Sequence, residues 1–230
     1  MILSKIISFV VTTTAKFGID ESHGLSHSLQ TLFYANRIYE QEVDKRGYIK
    51  PHERIIYISA AIHDMCDKKY MDESTGIANI VDYLNTIHVG QLNKTPVLYK
   101  YEVDAISKII GSMSYSKVKQ HGFPILCEFQ TAYHIVRESD LLAGYDFDRS
   151  MIYNIYTKNS TLEEAYQDAR ELFTTRVLKQ IDDKLFFTDY GRSESAILHS
   201  EAIDRMEKWN YLLKKQTRGY TDSRSLPRLD

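Results

Sequence analysis

His63 and Asp64 stand side by side at the end of a very apolar string, Ala60-Ala61-Ile62-His63-Asp64-Met65. The apolar neighbours predict burial, and a buried carboxylate without a partner is costly. Two readings meet that cost. In one, Asp64 is a satisfied helix-end acid beside a core histidine. In the other, a borderline nitrogen and a hard oxygen from neighbouring residues hold a metal ion. His27 lies in SHGLSHSLQTLFYANRI, one turn into a predicted helix, with His23 four residues before it. Residues four apart share a helix face, but Gly24 places His23 at the helix start. Asp140 is embedded in an otherwise apolar segment, after Ile135 and Val136 and before Leu141 and Leu142. A metal ion would relieve its burial; so would a salt bridge to Arg137 or another cationic side chain. The remaining histidines carry less. His52, His88 and His199 fall at polar helix ends or surfaces, and His121 and His134 suit structural roles.

Taken in order, these residues resemble the HD superfamily of metal-dependent phosphohydrolases. The family pattern is a His on an early helix, an adjacent His-Asp closing a later helix, and a distant Asp on a helix later still. His27, then His63 with Asp64, then Asp140 match it. The resemblance is closest to small standalone HD hydrolases, whose first motif reads like His-Gly-x-x-His, as His23 to His27 do here. Their second motif continues like HD-x-x-D-x-K-Y, similar to His63-Asp64-Met65-Cys66-Asp67-Lys68-Lys69-Tyr70. IIGSMSYSK (109–117) and FTTRV…LFFTDYGR (173–192) are also similar to stretches of these proteins, so the resemblance spans roughly residues 20 to 213. There are departures. The third motif of that subgroup looks like D-A-D-R-L-D-A, whereas Glu138-Ser139-Asp140-Leu141-Leu142-Ala143-Gly144 keeps the ligand position without the arginine and the second aspartate. Gln30 stands where a cation would follow the first motif. Both changes bear on phosphate contacts, and hence on substrate identity. The glycine-tyrosine-proline signature of cyclic-dinucleotide phosphodiesterases and the extra histidines of a dinuclear site are missing.

The resemblance implies one divalent ion held by His27, His63, Asp64 and Asp140. Two imidazoles and two carboxylates leave two positions of an octahedral ion open. That suits Mn²⁺, Fe²⁺, Co²⁺, Ni²⁺ or Mg²⁺ better than a closed structural zinc. Such an ion acidifies a water and polarises a phosphoryl oxygen. Asp67 lies one turn past Asp64 if the helix continues, placed to orient the attacking water or take its proton. The alarmone-hydrolysing branch, with a signature like HD-x-x-E-D, has an acid at the same spacing; its second acid is Lys68 here. Lys69 and His23 join Asp67 as catalytic candidates, His23 as donor to a leaving alkoxide. Lys68, Lys117 and Tyr70 are expected substrate contacts, the lysines as point charges for phosphate oxygens. For each lysine the alternative is a solvated surface side chain. The expected reaction is hydrolysis of a phosphomonoester or phosphoanhydride bond, in a nucleotide or related small phosphate. The alternatives are a catalytically reduced HD-fold module that holds a nucleotide, and a helical protein whose HD and Asp140 are core polar groups.

These residues need a frame, and the periodicity supplies one. Apolar residues recur at helical spacing over residues 2–16, 25–38, 52–65, 74–88, 98–111, 128–143, 161–181 and 194–213. Ten Gly and four Pro in 230 residues suit long helices, and Pro51, Pro96 and Pro124 fall between the predicted ones. LFFTDYG (185–191) reads as an extended piece or a turn. The expected architecture is all-α: one HD-type helical domain of roughly eight or nine helices over residues 1–213, then a polar, flexible tail, 214–230. Lys+Arg 29 against Asp+Glu 31 gives a net charge of −2, which argues against general nucleic-acid binding. No window has the ~18 apolar residues of a membrane span, and MILSKIISFVV lacks the long uncharged core of a signal peptide. Cys66 and Cys127 read as buried free thiols in a reducing compartment, so the cytoplasm (a host's, if the source is viral) is expected. The expected partners are the small phosphate substrate and a second copy of the chain. The 27 aromatics include 17 Tyr, expected mostly in the interior and partly in a cleft.

Overall fold

Why the chain packs around its third helix follows from residues 53–62. Ile55, Ile56, Ile58, Ala60, Ala61 and Ile62 are fully buried, so past its charged first turn this helix must be covered by its neighbours. Burying each of its isoleucines contributes about 1.5–3 kcal/mol. The computed structural model describes residues 2–87 and 98–222, with the backbone alone for 216–222. Among these residues there are ten α-helices and no strand. They are α1 (Ile2–Phe17), α2 (Leu25–Lys45), α3 (Glu53–Ile62), α4 (Glu73–Thr86), α5 (Lys100–Ser112), α6 (Tyr115–His121), α7 (Gln130–Ala143), α8 (Phe147–Lys158), α9 (Leu162–Thr175) and α10 (Asp189–Asp222). Helices α2, α3 and α7 pack against one another, α1 and α5 cover α3, and α4 lies on α5. Helices α8 and α9 form a second pair, and α10 packs against α2, α7, α8 and α9. A single apolar cluster runs through all of this, from Ile6 on α1 to Met206 on α10.

Several expectations change. The helix count is ten rather than eight or nine, because α6 and α8 escaped the apolar periodicity. Both begin on side-chain caps: Ser114 Oγ accepts from the Lys117 amide at 3.4 Å, and Asp146 Oδ1 from the Arg149 amide at 3.2 Å. The expected 161–181 helix ends at Thr175. The hydroxyls of Thr174 and Thr175 bond back to Arg170 and Glu171 carbonyls, a pattern that bends helices, and Arg176 leaves helical geometry at φ −132°. Pro51 sits in a 3-10 turn, Gly47–His52, that leads into α3. His52 is buried rather than superficial, with its ring 5.0 Å from that of Phe129. Cys66 is buried as expected, but Cys127 is exposed. Among the described residues only six tyrosines are buried, so the interior does not account for the excess. Helix α10 passes the expected Leu213 boundary and ends at Asp222, since Lys214, Lys215 and Gln216 are good helix formers. His88, Pro96 and residues 223–230 lie outside the described residues. No described helix is long and apolar enough to cross a membrane.

Residues 185–187 are irregular, the chain bends at Thr188 and α10 begins at Asp189; this segment is stitched to α7. Glu138, fully buried, accepts from the Phe187 amide at 2.8 Å, the Thr188 amide at 3.1 Å and the Thr188 hydroxyl at 2.7 Å. Gly191 lets α10 start there, because a Cβ would come within 2.3 Å of the Glu138 carboxylate. Arg137 turns the same way, towards Glu138 and the Leu185 carbonyl. It is therefore not the partner of Asp140.

Candidate metal centre and its cleft

His63 and Asp64 sit in the turn that follows α3, so a helix buried along residues 58–62 fixes their position. Gly76 allows α4 to rest on this turn; a Cβ there would meet Cys66 Cβ at 2.6 Å. His27 comes from the first turn of α2 and Asp140 from the last turn of α7, where the Gly144 amide caps the Asp140 carbonyl at 2.8 Å. The three elements bring four donors together. His27 Nε2 is 3.2 Å from His63 Nε2 and 3.2 Å from Asp140 Oδ1. His63 Nε2 is 3.4 Å from Asp140 Oδ1 and 3.4 Å from Asp64 Oδ1, and Asp64 Oδ2 is 3.4 Å from His27 Nε2.

This set fits a small divalent cation. Two imidazole Nε2 atoms at 3.2 Å cannot both point lone pairs at each other without a proton or cation between them. His63 Nδ1 donates to the Ala60 carbonyl at 2.9 Å, which orients Nε2 as the metal-facing atom. Ligand bonds of about 2.1 Å put adjacent donors about 3.0 Å apart on an octahedron and about 3.4 Å apart on a tetrahedron. The observed 3.2–3.4 Å separations accommodate either, so the geometry accepts an ion without choosing it. His27, His63 and Asp64 place ligand atoms within 4.8 Å of one another and could hold a metal. Asp140 reaches the same two imidazoles.

Without an ion, the surroundings favour a proton on His63 and a neutral His27. Burial opposes charge on His63, but Asp64 and Asp140 outweigh it and hold its pKa well above the usual range. Burial, helped by Arg149, lowers that of His27 to about 4. Burial works against the ionised Asp64 and Asp140 too, yet His63 keeps both below the ordinary carboxylate range. An ion must therefore displace the His63 proton. Calorimetry of Mn²⁺ binding at pH 7, in buffers of different ionisation enthalpy, will show release of about one proton. The sign follows: affinity falls as pH drops and the proton competes, and it rises with pH until the raised His63 pKa is passed. A buffer-independent heat would contradict this.

The other sequence candidates fall into place unevenly. Helix α3 does not continue, so Asp67 is in a turn rather than one helical turn on. Its Oδ1 accepts from the Lys69 amide at 2.8 Å, and burial raises its pKa. His23 is not poised as an acid: burial lowers its pKa to about 3. Its Nε2 lies 2.7 Å from Lys69 Nζ, the donor of that pair, while Nδ1 contacts Ser22 Oγ at 2.7 Å. Lys69, its own pKa lowered by burial, also lies over the Tyr153 ring at 4.9 Å. Tyr70 lines neither cavity; it donates to Asp20 Oδ2 at 2.7 Å, with its hydroxyl 3.2 Å from His23 Nδ1. Asp20 also accepts from the Ser22 amide at 2.8 Å and the Thr157 hydroxyl at 2.9 Å, tying the first-motif loop to α8. Lys117 is held by Glu73 and the Gly111 carbonyl, which offsets its charge. Lys68 lines the cleft.

Two cavities meet at the centre. One of about 180 Å³ is lined by His63, Asp64, Lys68 and Lys117, and one of about 370 Å³ by His27, Asp64, Arg149 and Tyr153. Asp67, Lys69, Tyr115, Asp140 and Arg176 line both. Sequence reasoning missed Arg149 and Arg176. Arg149 donates to the Ser22 carbonyl at 2.8 Å, and Arg176 lies over the Tyr115 ring at 4.4 Å. The two arginines thus bring cations to the cleft from α8 and from the residue after α9. The signals were Asp146, as a cap for α8, and the paired threonines before Arg176.

No protein-family model matches the chain, and no curated protein gives a significant match. Among solved structures, the chain is similar to the crystal structure of a Lactobacillus plantarum protein determined as a Northeast Structural Genomics target. The TM-score is 0.66 at 17% identity, over 93% of this chain and 97% of that one. A likeness at that identity concerns the fold alone.

Proposed function

We propose that the chain is a metal-dependent phosphohydrolase of the HD type, acting on a phosphomonoester or phosphoanhydride bond of a small organic phosphate such as a nucleotide. The observation that carries this is the convergence of His27, His63, Asp64 and Asp140 where two cation-lined cavities join. When bound, a divalent ion there supplies an acidified water and a polarised phosphoryl oxygen. The remaining work belongs to the chain. Arg149, Arg176 and Lys69 offer charge to phosphate oxygens, the arginines with planar forks suited to them. Asp67, with its raised pKa, accepts a proton from the attacking water. Lys69 returns one to the leaving oxygen, while neutral His23 accepts Lys69's hydrogen bond and holds the ammonium in place.

The test is direct. Chelator-stripped protein is assayed for phosphate or pyrophosphate release from nucleoside mono- and triphosphates, with Mn²⁺, Fe²⁺, Co²⁺, Ni²⁺ or Mg²⁺ restored one at a time. Turnover that requires an added ion is the expected result. Protein that takes up an ion in every case yet releases nothing from the panel would overturn the hydrolytic reading.

A further inference from the structure

The larger cavity has more space than the metal centre and a phosphate require. At about 370 Å³ it falls in the range of sites that enclose a small organic ligand. The residues that line it and not the smaller cavity show what the extra space is for. Leu141, Leu172 and Val177 give it an apolar wall, and Tyr153 an aromatic one. Leu141 is 6% exposed, so the wall beside Asp140 is closed by an apolar side chain. Four lining residues have a buried polar atom without a partner, His27 Nδ1, Tyr115 Oη, Arg149 Nε and Gln180 Oε1, and of these Gln180 belongs to the turn beside the apolar wall and offers an oxygen that can only accept. Gln180 lines the cavity and is 3% exposed, and its Oε1 is buried with no hydrogen-bond partner. Its backbone is pinned on both sides, with its amide donating to the Val177 carbonyl at 3.2 Å and its carbonyl accepting from the Leu185 amide at 3.1 Å. A fixed, buried acceptor left unpaired is unfavourable, and it disfavours any ligand that cannot supply a donor.

We propose that the part of the larger cavity walled by α8, α9 and the turn after α9 is a recognition subsite for a planar organic group bearing a hydrogen-bond donor, and that Gln180 Oε1 accepts that hydrogen bond and sets specificity. This rests on the phosphohydrolase reading and sharpens it: the substrate is an ester or anhydride whose organic half carries an N–H or O–H group. A nucleobase and a sugar hydroxyl both offer that chemistry, and the probes separate them.

The experiment compares kcat/KM of Mn²⁺-loaded protein on the four ribonucleoside monophosphates and triphosphates, ribose 5-phosphate and phenyl phosphate, for wild type and Gln180→Met. Wild type will favour a base-bearing substrate over phenyl phosphate, and Gln180→Met will cut that ratio about tenfold, the scale of one neutral hydrogen bond. A preference for ribose 5-phosphate that falls in the same way would assign the donor to the sugar. An unchanged ratio in a folded, metal-replete variant overturns the inference and leaves the hydrolase reading intact; a buried water would then be the partner of Gln180. If Gln180→Met does not fold, wild type alone decides. Thymidine monophosphate and its N3-methyl analogue differ by a single donor, as do uridine and N3-methyluridine monophosphates, and equal rates on both pairs, with no preference for hydroxyl donors, also overturn it. If wild type hydrolyses nothing, calorimetry with the same nucleosides and Gln180→Met separates the two ideas. Binding that needs Gln180 keeps the subsite while the hydrolase reading fails; no binding removes both.

Discussion

Asp64→Ala will emerge from purification without a bound ion and without turnover. Asp64 is the one residue here whose two carboxylate oxygens face different imidazoles, Oδ2 towards His27 and Oδ1 towards His63. Removing it deletes a ligand and also the charge that helps to offset burial of the two histidines. Loss of a mere supporting group around a metal costs about 10–100-fold in affinity or activity, so loss of the ligand itself should exceed about 100-fold in both. His63→Ala should behave alike, since His63 contacts both Asp64 and Asp140. Lys117→Ala is the useful contrast, because Glu73 and the Gly111 carbonyl already hold that ammonium. Its metal content should match wild type. Elemental mass spectrometry of protein from Mn²⁺-supplemented cells, with circular dichroism as a fold control, gives the answer. Stoichiometric metal in folded Asp64→Ala would remove the residue from the centre, and the proposed chemistry with it.

How much of this was legible beforehand depended on the physical signal each part left in the sequence. A buried polar residue in an apolar string is a loud signal, because its burial has to be satisfied. His63, Asp64 and Asp140 announced themselves that way, and all three meet at one point. Long amphipathic helices were equally legible, since their faces repeat over several turns. Arg149 and Arg176 left no such trace. An arginine in a sequence looks the same whether it lines a cleft or points into water, and its direction here depends on two local accidents: the start of α8 at Asp146 and the break after Thr175. Reading 161–181 as one helix concealed that break. Tyr70 failed for a related reason. Adjacency to a motif places a residue near the site but does not choose its rotamer, and Asp20 captures its hydroxyl. His23 shows that composition cannot supply a protonation state either, because burial decides it.

Glu138→Ala will cost the fold more than any substitution in the cleft. The residue is fully buried, two positions before Asp140, and three donors from Phe187 and Thr188 converge on its carboxylate. Truncation leaves those donors unpaired and strands Arg137, which is 2% exposed and has Glu138 beside it. Breaking a buried charge pair by removing one member typically costs about 3–5 kcal/mol, a large part of the roughly 5–15 kcal/mol that holds a domain together. The carboxylate does carry its own burden, since burial raises its pKa. Glu138→Gln should therefore be milder, keeping one acceptor and the side-chain volume while losing the charge. Urea denaturation resolves the order: the midpoint of Glu138→Ala should fall furthest, that of Glu138→Gln less. A loss below about 1 kcal/mol for the alanine variant would mean that water replaces the carboxylate at no great cost. The effect should also reach the metal centre. Glu138 fastens the 185–188 segment to the last turns of α7, and Asp140 projects from that same helix end. In whatever fraction of Glu138→Ala folds, Mn²⁺ affinity should drop although no ligand has been touched. That would tie the stability of the α7–α10 junction to the placement of the fourth ligand.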